Sequence, residues 1–393
     1  MRARSTLLPL LVPCVLALGL GGCKADKRPA TPAKSAKTTK PQKPVDPRSK
    51  LQIIDSHVHL TPLDGPFNTA LRLFSDLNIS KFAVKSAGKP GSLRYKATLR
   101  YADYLGEKMA FFTNVDWEGI DDANWAAREA KAVERAMKDG ASGIKIFKAL
   151  GLGVRLKDGK LLKVDDARLD PLFTRCGELG AIVAWHVADP VAFFKPTDKK
   201  NERYYELSMA PEWSFYGQDY PSHEALLAAR DRVIKKHPKT IFLGIHLANH
   251  PEDIDYVDKL LDENKNLYVD VSARLPEIGR HPAEQVKRFF IKHQDRILFG
   301  TDMIVTSNGY QLGSVSEKPP TFDDALAYYR CHRRFFETAD KQFDHPTPSQ
   351  GAWKIDGINL PLNVLKKIYV ENAERLIFSK RSAYLKAKKG KAS

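Results

Sequence analysis

Eight short apolar runs, separated by longer stretches, set the strongest limit on what this chain can fold into. They are residues 53–60, 81–87, 109–116, 143–148, 181–187, 240–247, 267–273 and 297–302. Each has strand length and is rich in aliphatic, β-branched or aromatic side chains. Between most of them the apolar residues recur at helical spacing, over 67–78, 122–138, 166–179, 222–236 and 282–293. In 67–78 this puts Leu71, Phe74, Leu77 and Asn78 near one face. Strands alternating with helices imply an all-parallel sheet covered by helices. Eight is also the number that closes a (β/α)8 TIM barrel. An open doubly wound sheet is the alternative, weakened because no Gly-x-Gly-x-x-Gly follows the first run. The last barrel helix is predicted over 362–378.

Two connections are long, and both follow strand C-terminal ends, the active face of such a barrel. The one after strand 5, 189–221, is crowded with aromatics: Phe193, Phe194, Tyr204, Tyr205, Trp213, Phe215 and Tyr216. The one after strand 8 runs from 303 to about 360 and contains a predicted helix over 322–337. Both are candidate lids or pocket walls.

The net charge of +16 raises the question of a nucleic-acid partner. Its distribution answers it. Residues 1–50 hold 11 Lys/Arg and 2 Asp/Glu, residues 380–393 hold 6 and none, and 51–379 hold 46 and 45. The body is nearly neutral, so it has no clustered charge for a phosphate backbone. Residues 1–22 read as a leader, with basic Arg2 and Arg4 before an apolar stretch from Leu7 to Leu20 that is too short for an ordinary transmembrane helix. The Leu20-Gly21-Gly22-Cys23 that follows resembles a bacterial lipobox, with Cys23 as the lipidated residue. The resemblance implies an exported lipoprotein at the periplasmic face of an outer membrane or at the cell surface. Residues 23–50, rich in Lys and Pro, read as a disordered basic tether. The barrel is expected over 51–379 and a basic tail over 380–393. Cys176 and Cys331 are too few for a disulfide framework and are expected as free thiols.

The chemistry-bearing residues sit at the ends of the apolar runs. Asp55-Ser56-His57-Val58-His59 closes the first. Strand alternation points His57 and His59 the same way, with attachment points roughly 6.5–7 Å apart, so their rings can converge on one ion. His186 ends the fifth run, His246 the sixth and Asp302 the eighth. A lone His at a strand end is more often a hydrogen-bonded structural residue. Five polar residues around one rim are costly unless something satisfies them.

This constellation closely resembles the amidohydrolase superfamily, in its amidohydrolase-related branch, which also holds decarboxylases similar to aminocarboxymuconate semialdehyde decarboxylase and lactonases. The resemblance spans 51–378. It implies His57, His59, His186 and Asp302 as ligands of one divalent ion. It implies that His246 polarises a carbonyl or positions the attacking water, and that Asp302 accepts that water's proton. Three imidazoles and a carboxylate suit Zn2+, with Mn2+, Fe2+ and Co2+ also open. Lys145, in the fourth run, has three readings: a carboxylated bridge between two metals, an anion-binding group, or a salt-bridged wall residue. His250 is a helix cap or lines the pocket. Arg274 and Arg203 take a substrate carboxylate or an ion pair, for Arg274 with Glu277. Asp55 shares the inward parity of His57 and is expected to brace the ligands. His223, His237, His281, His293, His332 and His345 are expected mostly in solvent.

The leading functional reading is a metal-dependent hydrolase that turns activated water on a C–O or C–N bond of a small carbonyl substrate: lactone, ester or amide. The alternative is a metal-dependent decarboxylase, a lyase, on the same scaffold. A non-catalytic surface lipoprotein is the third reading, opposed by the complete ligand set. The expected partners are a small-molecule substrate and a membrane reached through the lipid anchor; a homodimer stays open.

Overall fold

The computed structural model describes residues 47–390. The expected leader, Cys23 and nearly all of the tether lie outside the described residues. The strands are β1 (Ile53–Leu60), β2 (Ile79–Val84), β3 (Met109–Asn114), β4 (Gly143–Ile146), β5 (Ile182–Trp185), β6 (Phe242–Gly244), β7 (Leu267–Asp270) and β8 (Ile297–Leu298). They pair in chain order. Each neighbouring pair is parallel. The chain folds as the expected (β/α)8 barrel.

The eighth strand differs from expectation. After β8 the ladder breaks for four residues and resumes as β9 (Met303–Thr306), which pairs with β1 instead of β7. In the break, Ser56 N donates to Phe299 O at 3.0 Å and Asp302 N to His57 O at 2.8 Å. One chain segment thus carries the ladder from β7 round to β1. β10 (Gly309–Leu312) folds back antiparallel on β9.

Helices cover the outside, and local chemistry starts them. Ser222 accepts from Ala225 N to cap His223–Lys236. Thr321 and Asp324 form a capping box for Phe322–Glu337, inside the long connection after the eighth strand. The first helix is Asp64–Asp76, burying Phe67, Ala70, Leu73 and Phe74. The predicted face was displaced: Leu71 is half-buried and Asn78 exposed. Two barrel helices went unpredicted. Leu93–Leu105 buries only Tyr95, Thr98 and Ala102, a thin stripe. Ile254–Glu263 shows a clear one, Ile254, Val257, Leu260 and Leu261.

Two apolar layers result. The larger lies between sheet and helices. The smaller fills the barrel with Ile54, Ala83, Ala110, Phe112, Ile182, Ala184, Leu243, Ile245 and Leu298, and is joined by Ala373, Leu376, Ile377 and Phe378 of the last helical run. That run continues as Ser379–Lys389, where Arg381 is wholly buried. Most of the expected tail is therefore helix, anchored by Arg381. Cys176 and Cys331 are free, as expected.

The candidate metal centre and its cleft

β1 does not alternate evenly. Its register shifts between Asp55 and Val58. Ile54 lies in the inner layer and Val58 in the outer one, so one residue is absorbed between them, as in a bulge. The shift still turns His57 and His59 inward together. It turns Asp55 outward, against the expected parity. The Asp55 carboxylate accepts from Tyr329 OH (2.7 Å) and Thr301 Oγ1 (2.6 Å), and from His57 N (3.0 Å). It braces the histidine through the backbone and not through the ring. Burial pushes its carboxyl up to about 6, against those hydrogen bonds.

Three donor atoms meet at the barrel mouth. His57 Nε2 and His59 Nε2 are 3.3 Å apart. Asp302 Oδ1 lies 3.2 Å from the first and 3.1 Å from the second. A tetrahedral ion with ligand bonds of 2.0–2.1 Å needs donors about 3.3 Å apart, so this triangle fits one face of such a site. His57 Nδ1 meets Asp270 Oδ2 at 2.9 Å. That carboxylate holds the ring proton on Nδ1 and leaves the Nε2 lone pair facing Asp302. A divalent ion seated among these three atoms would take a lone pair from each.

The charge states agree. Burial pushes the His59 imidazole down to about 4, against the pull of Asp302. Burial would raise Asp302, but His57 and His59 outweigh it and hold the carboxyl well below its usual range. Neutral imidazole beside ionised carboxylate is what a divalent ion takes.

The structure brings His57, His59 and Asp302 together as a possible metal-binding group. It places His186 close by but outside the triangle. His186 Nε2 faces Asp189 Oδ1 at 3.3 Å, and Asp189 is tied to Lys148. His246 packs edge-on to His186, ring centroids 4.5 Å apart, and stacks on His57 at 5.4 Å. Its Nδ1 donates to Ser272 O at 2.8 Å, so Nε2 is a bare acceptor. Burial holds this ring well below its ordinary pKa.

The backbone around this rim is strained. His246, Leu247, Ala248 and Asn249 all have φ of 52–57°, Ala188 66°, Ala273 54° and Asp302 61°. Left-handed backbone costs an L-residue about 1–2 kcal/mol. It is concentrated just after β5, β6, β7 and β8, on the rim that carries His186, His246 and Asp302.

Sequence reasoning overlooked Asp270 and Ser272. Asp270 is wholly buried. Besides His57 it accepts from His246 N (2.9 Å) and Ser272 Oγ (2.6 Å). The signal was present: Asp270 ends the apolar Leu267-Tyr268-Val269 run as the other site residues end theirs.

Two cavities border the centre. One, of about 400 Å³, is lined by His59, Arg94, Lys145, Lys148, His186, His246 and Asp302 among others. The other, about 140 Å³, shares Lys148, His186, His246 and Asp302 with it and adds Phe193, Trp213 and Arg274. A larger cavity, about 600 Å³, lies beside 312–320 and 344–349 and contains none of the strand-end residues.

The remaining candidates separate. Arg203 is wholly buried in ion pairs with Glu206 (2.6 Å) and Glu277, so it faces no substrate. Arg274 therefore lacks the expected pairing with Glu277; its guanidinium donates to Ala273 O at 2.9 Å and borders the smaller cavity. His250 lies away from both cavities, packed on His223 and Tyr256 with ring centroids 5.0 Å apart in each case. The other histidines overturn the expectation of solvent: His223, His237, His293, His332 and His345 are buried. Each has a hydrogen-bond partner, such as Asp170 for His237 and Asp258 for His293.

A family model described as amidohydrolase matches residues 54–378. No curated protein matches the sequence. Solved structures of similar fold include an uncharacterised TIM-barrel protein from Bordetella bronchiseptica, at 15% identity over 84% of this chain and 100% of that one, TM-score 0.49. They include a 2,6-dihydroxybenzoate decarboxylase from Rhizobium, at 14% identity over 84% and 98%, TM-score 0.46. A 4-oxalomesaconate hydratase from Rhodopseudomonas palustris is similar at 14% identity over 87% and 100%, TM-score 0.49.

Proposed function

Because the chain belongs to the amidohydrolase family, matched across most of its length, we propose that it is a metal-dependent hydrolase acting on a C–O or C–N bond of a small lactone, ester or amide. The triangle of His57, His59 and Asp302 carries the reading. His57, His59 and Asp302 would hold a divalent ion, with His186 beside them as a fourth ligand once its ring leaves Asp189. Zn2+ suits this set best, and Mn2+, Fe2+ and Co2+ fit the same donors. When bound, such an ion acidifies water and polarises a carbonyl.

The chain's own groups do the rest. Asp302 keeps a second carboxylate oxygen at the cleft, where the side chain is 20% exposed. It accepts the proton of the attacking water and returns it to the leaving oxygen or nitrogen. His246 offers a bare Nε2. A neutral ring of this tautomer accepts hydrogen bonds at Nε2, so it positions the water and does not polarise the carbonyl. The aromatic segment after β5 and the hairpin after the eighth strand wall the cleft.

A screen of lactones, esters and amides with the metal-loaded protein tests the reading. Metal analysis should give about one divalent ion per chain. Asp302→Asn should lower turnover by about 10³-fold or more while leaving the circular dichroism unchanged. Retained turnover would remove Asp302 from proton transfer. Release of CO2 from aromatic or unsaturated acids, without hydrolysis of any ester, lactone or amide, would replace the hydrolase with the decarboxylase. We propose in addition that Cys23 anchors the protein to a membrane after export. Cys23→Ala should move it from the membrane to the soluble fraction.

A further inference from the structure

The cleft wall carries positive charge that the chain does not balance. Lys145 points from β4 to the barrel axis, between Ile144 and Ile146, which belong to the outer layer. It is 1% exposed yet lines the larger of the two cavities at the centre. Among the described residues its ammonium has no hydrogen bond and no ion pair; its one close contact of note is the Phe147 ring, 5.0 Å away. Burial pushes it down to about 8, opposed by Asp302 and Asp270. Both of those carboxylates are engaged elsewhere. Asp302 sits against His57 and His59, and Asp270 against His57 and Ser272.

The other charges in these cavities point the same way. Arg94 stands in the wall of the same cavity. Arg274 borders the smaller one, and a backbone carbonyl is the only hydrogen-bond partner of its guanidinium among the described residues. The acids beyond Asp302 are Asp189, paired with Lys148, and Glu206, paired with Arg203. A buried ammonium without a counter-charge is costly. It is a site for an anion that arrives from outside.

We propose that the substrate carries a carboxylate, held by Lys145 in the larger cavity, while its reacting carbonyl faces Asp302 and His246. This inference rests on the hydrolase reading and narrows it to carbonyl compounds bearing a second, anionic arm. Uncharged esters and lactones of the same skeleton are the compounds it excludes as good substrates.

Matched pairs of esters, lactones and amides, alike except for carboxylate in place of methyl, test it on the metal-loaded full chain. The carboxylate member should have the higher kcat/KM, by about 10-fold or more, the usual scale of a charge-assisted hydrogen bond. Lys145→Met should bring that ratio close to one, and Lys145→Arg should restore part of it. Equal turnover of both members would overturn the proposal and leave the hydrolase reading standing. Turnover of neither would overturn the hydrolase reading, and binding of glutarate, a dicarboxylate with no scissile bond, then decides. Glutarate that binds the wild type at least about 10-fold more tightly than Lys145→Met, with the variant's thermal midpoint no lower than wild type, supports the anion site. Equal affinity, or no binding, overturns it.

Discussion

Asp270 decides which nitrogen of His57 faces the cleft, and it also accepts from the backbone of His246. An amide in its place keeps its oxygen on the backbone N–H groups of His246 and Ser272 and so turns its NH2 to His57 Nδ1, which moves that ring's proton to Nε2. Asp270→Asn should therefore weaken metal binding by about 10–100-fold, read by competition with a chelator. A metal-free thermal midpoint near wild type separates this from simple unfolding, and an affinity within about 3-fold of wild type would remove Asp270 from this role. Lys85 makes a second residue-scale case. Its ammonium lies inside the barrel, 3.3 Å from the centre of the Phe112 ring and without a hydrogen bond. Burial holds its pKa well below the ordinary 10.5. The unfolded chain then binds the extra proton at every pH between those two values. Wild-type stability is penalised there, and the penalty fades as pH rises to about 10.5. Lys85→Met should match or exceed wild type in urea at neutral pH, and its advantage should shrink at alkaline pH. Parallel stability curves would show that Lys85 is solvated in the folded state.

At the scale of elements, the long segment after β5 is fixed by one buried cation. Arg203 joins that segment to Glu277, in the short helix Leu275–Arg280 after β7, and its partner Glu206 receives Ser314 Oγ from beyond the hairpin. Arg203→Met strands two buried carboxylates, which should cost about 3–5 kcal/mol in chemical denaturation. Protease cleavage within 189–221 should appear before the barrel melts. Adding Glu277→Met should recover part of the loss; no recovery would mean that Arg203 acts through packing. The sequence made the strands legible because buried parallel strands are continuous apolar runs. It made His57, His59 and Asp302 legible because the barrel puts strand ends on one rim. It concealed the bulge that turns Asp55 outward, since a bulge depends on pairing with β2 and β9 and not on residue type. The left-handed turn at 246–249 was concealed for a similar reason: Leu247 and Ala248, at its centre, are not residues that favour that backbone. Arg203 and Glu277 are 74 positions apart, so charge patterning along the chain could not join them.

The whole molecule divides into a working end and a closing end. All the strand-end residues of the centre lie at the C-terminal mouth, while 373–378 fills the opposite end, where Ser142 Oγ donates to Ile377 O at 3.1 Å. The following helix, Ser379–Lys389, binds the end of Leu93–Leu105. Arg381 donates to Ala102 O and to Gly106 O, and Lys388 meets Asp103 at 2.9 Å. Carbonyls at a helix C-terminus lack partners within their own helix, so this contact completes that end. In such barrels the N-terminal face serves stability and the C-terminal face chemistry. Ending the chain after Phe378 keeps the apolar plug and removes only the docked helix. The thermal midpoint should fall by several degrees, on the order of 2–4 °C for each kcal/mol lost in a chain of this size. Metal content and affinity should stay unchanged. A truncated protein that keeps its midpoint but loses its metal would tie the basic helix to the centre at the far mouth.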